Sequence, residues 1–155
     1  MIVTNEIRKI CKLVSEYLNL PVYIAEQDCE TKKQNYITVY IIGISPIGRK
    51  KTEIIDNQLK YIQLLELEIC FDCIGSDAAK NAIKISNMWP LEEIQNKLAD
   101  IDISWKKNNQ IKNTSYLFSE SYLPRMTFES YFYFKNEEIE THENIEKVKL
   151  NYGTN

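Results

Sequence analysis

Cys70-Phe71-Asp72-Cys73 sets two thiols at the spacing used by zinc sites and by redox pairs. A structural zinc needs four converging ligands, and a redox pair needs a helix N-terminus to lower a thiol pKa. The surroundings deny both. The motif falls inside Leu59–Ile74, whose alternation marks a strand. Residues three apart on a strand point to opposite faces. The chain has no second such pair, its only histidine is His142, and a Gly-Ser turn separates Cys73 from the next helix. No metal and no cofactor is expected. The four cysteines (11, 29, 70, 73) read as reduced thiols of a cytoplasmic fold, not as a disulfide framework.

Other chemistry fares no better. His142 lies among five glutamates, so no Ser-His-Asp set assembles. The four glycines (43, 48, 75, 153) are scattered and form no phosphate-cradling loop. Glu66 and Glu68 sit on the polar face of a strand, as a solvated face or a subunit contact. Asp100 and Asp102 flank a strand start, and Glu92 and Glu93 are simply adjacent. No catalytic constellation is present, and the protein is not expected to be an enzyme. What stands out is an aromatic surplus: ten Tyr, five Phe and two Trp, concentrated in 116–134. Tyr116, Tyr122, Tyr131 and Tyr133 cannot all be core if Phe128, Phe132 and Phe134 already are. Tyrosine is enriched at protein interfaces, so part of this face is expected to meet another subunit.

The elements that position these residues follow from periodicity. Ile7, Ile10, Cys11, Val14, Tyr17 and Leu18 predict an amphipathic helix over 4–19, closed by Asn19-Leu20-Pro21. Val22–Glu26 reads as a short strand, and Gln27–Asn35 as a loop. Tyr36–Ile44 is β-branched and aromatic, and apolar on both faces, so coverage from both sides is expected. Ser45-Pro46-Ile47-Gly48 reads as a turn or bulge, and Arg49–Asn57 as a charged hairpin arm or loop. Leu59–Ile74 alternates, with Tyr61, Gln63, Leu65, Leu67, Ile69, Phe71 and Cys73 on one face. Asp77 is placed to cap a helix running to Trp89, and Pro90 interrupts or restarts it through Leu91, Ile94 and Leu98. Ile101–Trp105 reads as a strand, Asn108-Asn109 as a turn and 116–123 as irregular. Arg125–Lys135 alternates, with Met126, Phe128, Phe132 and Phe134 on one side and Arg125, Thr127, Glu129, Tyr131 and Tyr133 on the other. The order predicts an α+β fold: a mainly antiparallel sheet with an N-terminal and a central helix packed on it.

The chain has 155 residues, enough for one domain that buries roughly 68–70% of its unfolded surface. That domain is expected over 1–135, with 136–155 as an acidic tail holding Glu137, Glu138, Glu140, Glu143 and Glu146 against Lys147 and Lys149. Outside the tail the charges balance, so binding of nucleic acid through phosphate neutralisation is not expected. No apolar run approaches a membrane span and no signal peptide is read at Met1–Glu6. Only three of the 19 cationic residues are arginines. The guanidinium makes bidentate carboxylate contacts that lysine cannot, so at least one of Arg49 and Arg125 is expected in an ion pair.

Several stretches in order carry a resemblance: YITVYIIGISPIGR (36–49), a strand ending in FDCIG (71–75), SDAAKNAIKISNMW (76–89), RMTFESYFYF (125–134) and the spaced aliphatics of IETHENIEKVKL (139–150). Together they resemble the neck or tail terminator proteins of tailed phages and prophages, over about residues 5–150. The resemblance implies a tail-terminator-like fold and an architectural virion protein of the neck or tail, present in the host cytoplasm during assembly. It implies a homohexameric ring that caps the tail tube, stops its polymerisation and joins it to the neck connector. The expected partners are further copies of itself, the tail tube protein and the connector, with DNA passing through the lumen without specific binding. Interface residues are expected among Tyr40, Ile42, Arg49, Arg125, Tyr131, Tyr133, Ile139 and Ile145. The competing reading is a non-catalytic α+β adaptor acting in the host cell.

Overall fold

The computed structural model describes residues 2–24, 35–118 and 121–140. Helix α1 (Ile2–Leu18) begins two residues earlier than its periodicity predicts. It buries Ile7, Ile10, Cys11, Leu13 and Val14 and leaves Tyr17 exposed. Asn19 adopts a left-handed conformation (φ 55°) that ends the helix. Strand β1 (Val22–Ile24) then pairs in parallel with β2 (Tyr36–Ile55), and β2 turns into β3 (Gln58–Ile74).

The reversal is at Asp56-Asn57, both left-handed (φ 49° and 62°), between Ile55 and Gln58. A two-residue loop with positive φ at both positions matches the twist of the flanking strands, and Asp and Asn tolerate it. Ser45–Gly48 therefore lies within a strand. The bulge expected there appears as a slip of register between Ile47 and Lys51, with Gly48 at φ 69°, and a further slip lies earlier, between Ile41 and Gly43.

Helix α2 (Ala78–Met88) buries Ala78, Ala82, Ile85 and Met88 against the sheet, and Trp89 at its C-cap is fully buried. Asp77 holds the N-cap position without a side-chain cap bond. Its own backbone N–H donates to Asn35 Oδ1 at 2.9 Å, fastening the helix start to the strand opening β2. Pro90 sits in the break, ahead of the N-cap residue Leu91 of α3 (Glu92–Asp100). That helix carries Glu92 and Glu93 in its first turn and Lys97 in its last, matching its dipole.

Strand β4 (Ile103–Asn108) runs three residues beyond the predicted strand, because Asn108 is a hub and not a turn. Its side chain donates to Ser86 O and accepts from Trp105 Nε1 and Ser130 Oγ, tying α2, β4 and the last strand together. Two-residue β5 (Lys112–Asn113) follows. Then β6 (Tyr116–Phe118) and β7 (Ser121–Leu123) form a small separate hairpin where an irregular segment was expected. Strand β8 (Arg125–Glu140) extends five residues past Lys135, into the segment read as tail.

The main sheet has the order β1-β2-β3-β8-β4, with β5 also on β8. All pairings but β1–β2 are antiparallel. The α+β architecture, with the N-terminal and central helices against a mainly antiparallel sheet, is as the sequence predicts. The helices cover one face. There Leu67, Ile69, Phe71 and Cys73 of β3 meet Phe128, Phe132 and Phe134 of β8. Phe71 stacks on Phe128 at 5.3 Å between centroids, and Trp89 meets Phe132 edge-on at 4.9 Å.

Candidate interaction surface

The face of the sheet away from the helices is polar and tightly cross-linked. Asp72 is buried at the end of β3, and Arg125 Nη2 donates to its Oδ2 at 2.7 Å. Thr127 Oγ1 donates to Oδ1 at 2.7 Å. The register explains the pair: Asp72 lies opposite Thr127, and Arg125 is one step away on the same face. The expected arginine ion pair is thus within the fold, at Arg125. Arg49 makes none with the described residues.

Along the same face, Glu68 stands opposite Tyr131 and accepts from its hydroxyl at 3.0 Å. Glu66 stands opposite Tyr133 and accepts from Lys106 Nζ at 3.0 Å. The ammonium of Lys106 lies over the Tyr133 ring and that of Lys107 over the Tyr131 ring. Tyr131 and Tyr133 are therefore neither core nor loosely solvated. They are half-buried rungs fixed by cross-strand carboxylates and lysines. Tyr40 stands opposite Cys70. A hydrogen bond to Cys70, with burial, raises the Tyr40 hydroxyl pKa.

Cys70 and Cys73 lie on opposite faces: Cys73 joins the helix-side core and Cys70 lies beside Asp72. Burial raises the pKa of Cys11 and Cys73 to about 12, and that of Cys70 to about 11. An unfolded thiol ionises near 9, so above that pH the folded chain holds more protons than the unfolded chain. Stability carried by these groups is complete below pH 9 and declines as pH rises towards 11–12. Two results are expected. Urea midpoints fall between pH 8 and pH 10, and a thiol reagent at pH 8 labels Cys11, Cys70 and Cys73 far more slowly in the native chain than in urea. Equal labelling rates in the two states would refute the buried-thiol reading.

Beyond this polar body the sheet loses its cover. From Tyr40 to Glu66 no residue is buried, and on β8 none is buried after Phe134. This region is a three-stranded arm made of β2, β3 and the end of β8. It exposes Ile44, Ile54, Ile55, Leu64 and Ile139, the last at 60%. Tyr36–Ile44 was expected to be covered on both sides. Among the described residues its first half is covered on the helix side, through Ile37 and Val39, while Ile42 and Ile44, past the register slip, are about half exposed.

The structure sorts the expected interface residues into two groups. Tyr40, Arg125, Tyr131 and Tyr133 belong to the polar face of the body. Ile42 and Arg49 lie on β2, and Ile139 lies on the arm part of β8. Ile145 falls outside the described residues. Sequence reasoning did not single out Asp72, Thr127 and Lys106, because cross-strand register decides their partners. It also missed Ile54, Ile55 and Leu64, whose exposure depends on the helices ending before the arm. Their signal was a run of aliphatics flanking Asp56-Asn57.

Among the described residues no cluster of three or more His, Cys, Asp or Glu is arranged to hold a metal ion. The described residues display surfaces: a braced polar face and an arm without buried residues, on an α+β fold. The chain belongs to the phage neck terminator protein family, whose model matches residues 3–155. No curated protein matches it. Its general role is accordingly that of a terminator protein of the phage neck and tail.

Proposed function

We propose that this protein assembles as a closed ring at the head-proximal end of a phage tail. There it ends growth of the tail tube and joins the tube to the neck connector, and DNA passes through the central hole. The observation that carries the reading is the arm: three strands with no buried residue among the described ones, exposing Ile44, Ile54, Ile55, Leu64 and Ile139. A small sheet without a packed face is marginal in water, and its exposed isoleucines ask for a partner. In a neck terminator the available partners are copies of itself and the components on either side. The hole needs no affinity for DNA, and the near-balanced charge of the chain suits a conduit.

Native mass spectrometry of the full chain, alone and with tail tubes, tests this. Closed rings are expected, hexamers by the resemblance stated above. A chain that stays monomeric at high concentration and leaves tube ends unbound overturns the proposal. A truncation after Lys135 gives a sharper result. None of residues 136–140 is buried, so the shortened protein is expected to keep its circular dichroism spectrum and lose ring formation. Unfolding would show that these residues hold the body together. Undiminished assembly would show that the arm is not the joint.

A further inference from the structure

Resting on the ring reading, the inference concerns how one copy meets the next. The arm has two open edges. On one side β1 pairs with β2 only at Ile37–Val39, so from Tyr40 to Ile55 the outer edge of β2 has no strand partner among the described residues. On the other side β4 pairs with β8 only as far as Phe134, so Lys135–Glu140 is likewise unpaired on its outer edge. Unpaired edges invite another strand.

The two edges carry opposite charge. Arg49–Ile55 has three cations, Arg49, Lys50 and Lys51, against Glu53. Lys135–Glu140 has three carboxylates, Glu137, Glu138 and Glu140, against Lys135. Glu137 is already engaged by Lys60 at 3.1 Å and Lys135 at 2.9 Å. Glu138 and Glu140 make no ion pair with the described residues, and neither does Arg49. The charged stretches also stand level across the arm: Lys51 aligns with Ile62, and Ile62 with Glu137. Where β4 begins, a groove of about 580 Å³ opens beside the β8 edge, lined by Leu64, Asp102, Ser104, Tyr133, Lys135 and Glu137 among others.

We infer that the Arg49–Ile55 edge of one copy docks along the Lys135–Glu140 edge of the next, extending the arm sheet from subunit to subunit. Each strand of the trio is antiparallel to its neighbour, so β2 and β8 run the same way, and the junction between like-oriented copies is parallel. The contact is head-to-tail: each subunit offers one edge and receives the other. Such contacts close into a ring when the rotation between copies allows it. Opposed charge sets which edge meets which and disfavours basic-to-basic or acidic-to-acidic pairing. The occupant of each edge is therefore a second copy of this chain.

Charge exchange tests the joint. Arg49→Glu with Lys50→Glu reverses the first edge, and Glu138→Lys with Glu140→Lys reverses the second. All four residues are exposed or partly exposed, and thermal melts check that each variant remains folded. Each double variant alone is expected to need at least about tenfold more protein to form rings than the natural chain. The quadruple variant is expected to recover ring formation. So is an equimolar mixture of the two double variants, which gives alternating rings with an even number of subunits. If either double variant assembles like the natural chain, or if the quadruple variant fails to recover, the edge joint is wrong while the ring reading stands. If the natural chain forms no ring, alone or on tubes, the ring reading fails and the joint with it.

Discussion

Trp89→Ala is expected to destabilise the isolated domain by about 3–5 kcal/mol. The indole is fully buried at the end of α2, between Phe71 at 6.0 Å and Phe132 at 4.9 Å. Its removal leaves a cavity at the meeting point of the helix layer and both central strands, where close packing allows little collapse. Domain stabilities are typically about 5–15 kcal/mol, so a large share of the population unfolds under mild urea. Trp89→Phe should be much milder, at about 1–2 kcal/mol. It keeps an aromatic ring and removes a buried N–H that has no acceptor among the described residues. Urea titration followed by circular dichroism separates the two. A loss under about 1 kcal/mol for the alanine variant would mean that the indole does not anchor the core.

Arg125→Met is expected to cost about 3 kcal/mol, because it leaves the Asp72 carboxylate buried beside a threonine hydroxyl and no guanidinium. Arg125→Lys should recover part of that loss, since an ammonium supplies charge without the planar fork. Pairing Arg125→Met with Asp72→Asn should recover more, because the second change removes the stranded charge. Arg49→Lys should leave domain stability unchanged, as Arg49 has no ion pair within the described fold. If Arg125→Met unfolds at the same urea concentration as the natural chain, the ion pair carries no weight in holding β3 to β8.

Periodicity made the secondary structure legible where burial is one-sided. Leu67, Ile69, Phe71 and Cys73, and Phe128, Phe132 and Phe134, alternate because one face meets helices and the other does not. The same logic separated Cys70 from Cys73. It broke down where tertiary contacts rule. Asn108 looks like a turn residue by type, but it is held in a strand by Trp105, Ser130 and Ser86. Asp72 looks like one more polar-face residue, and only the pairing of β3 with β8 reveals its burial beside Arg125. The five residues after Lys135 read as tail because they are acidic, yet β3 offers them an unfilled edge and they complete it. The arm's exposed isoleucines escaped notice for a related reason. Apolar type predicts burial, and only the limits of the helix layer show where that expectation fails.

The arm also has a birth order. β2 and β3 are neighbours in the chain and meet across a two-residue turn, so that hairpin can close as soon as the ribosome has released it. Its third strand is the last described segment to be made: Leu59 waits for Glu140, and Lys60 for Ile139. Closing that long loop is entropically slow compared with closing the hairpin. Until it closes, the chain has the Arg49–Lys51 edge but lacks the Glu138–Glu140 edge. On the proposed edge joint, a nascent chain would thus be a one-ended unit, able to be received by a finished neighbour but unable to receive one. On that joint, synthesis of β8 through Glu140 would be the step that admits a subunit to both sides of a junction, and fragments ending before it would not propagate an assembly.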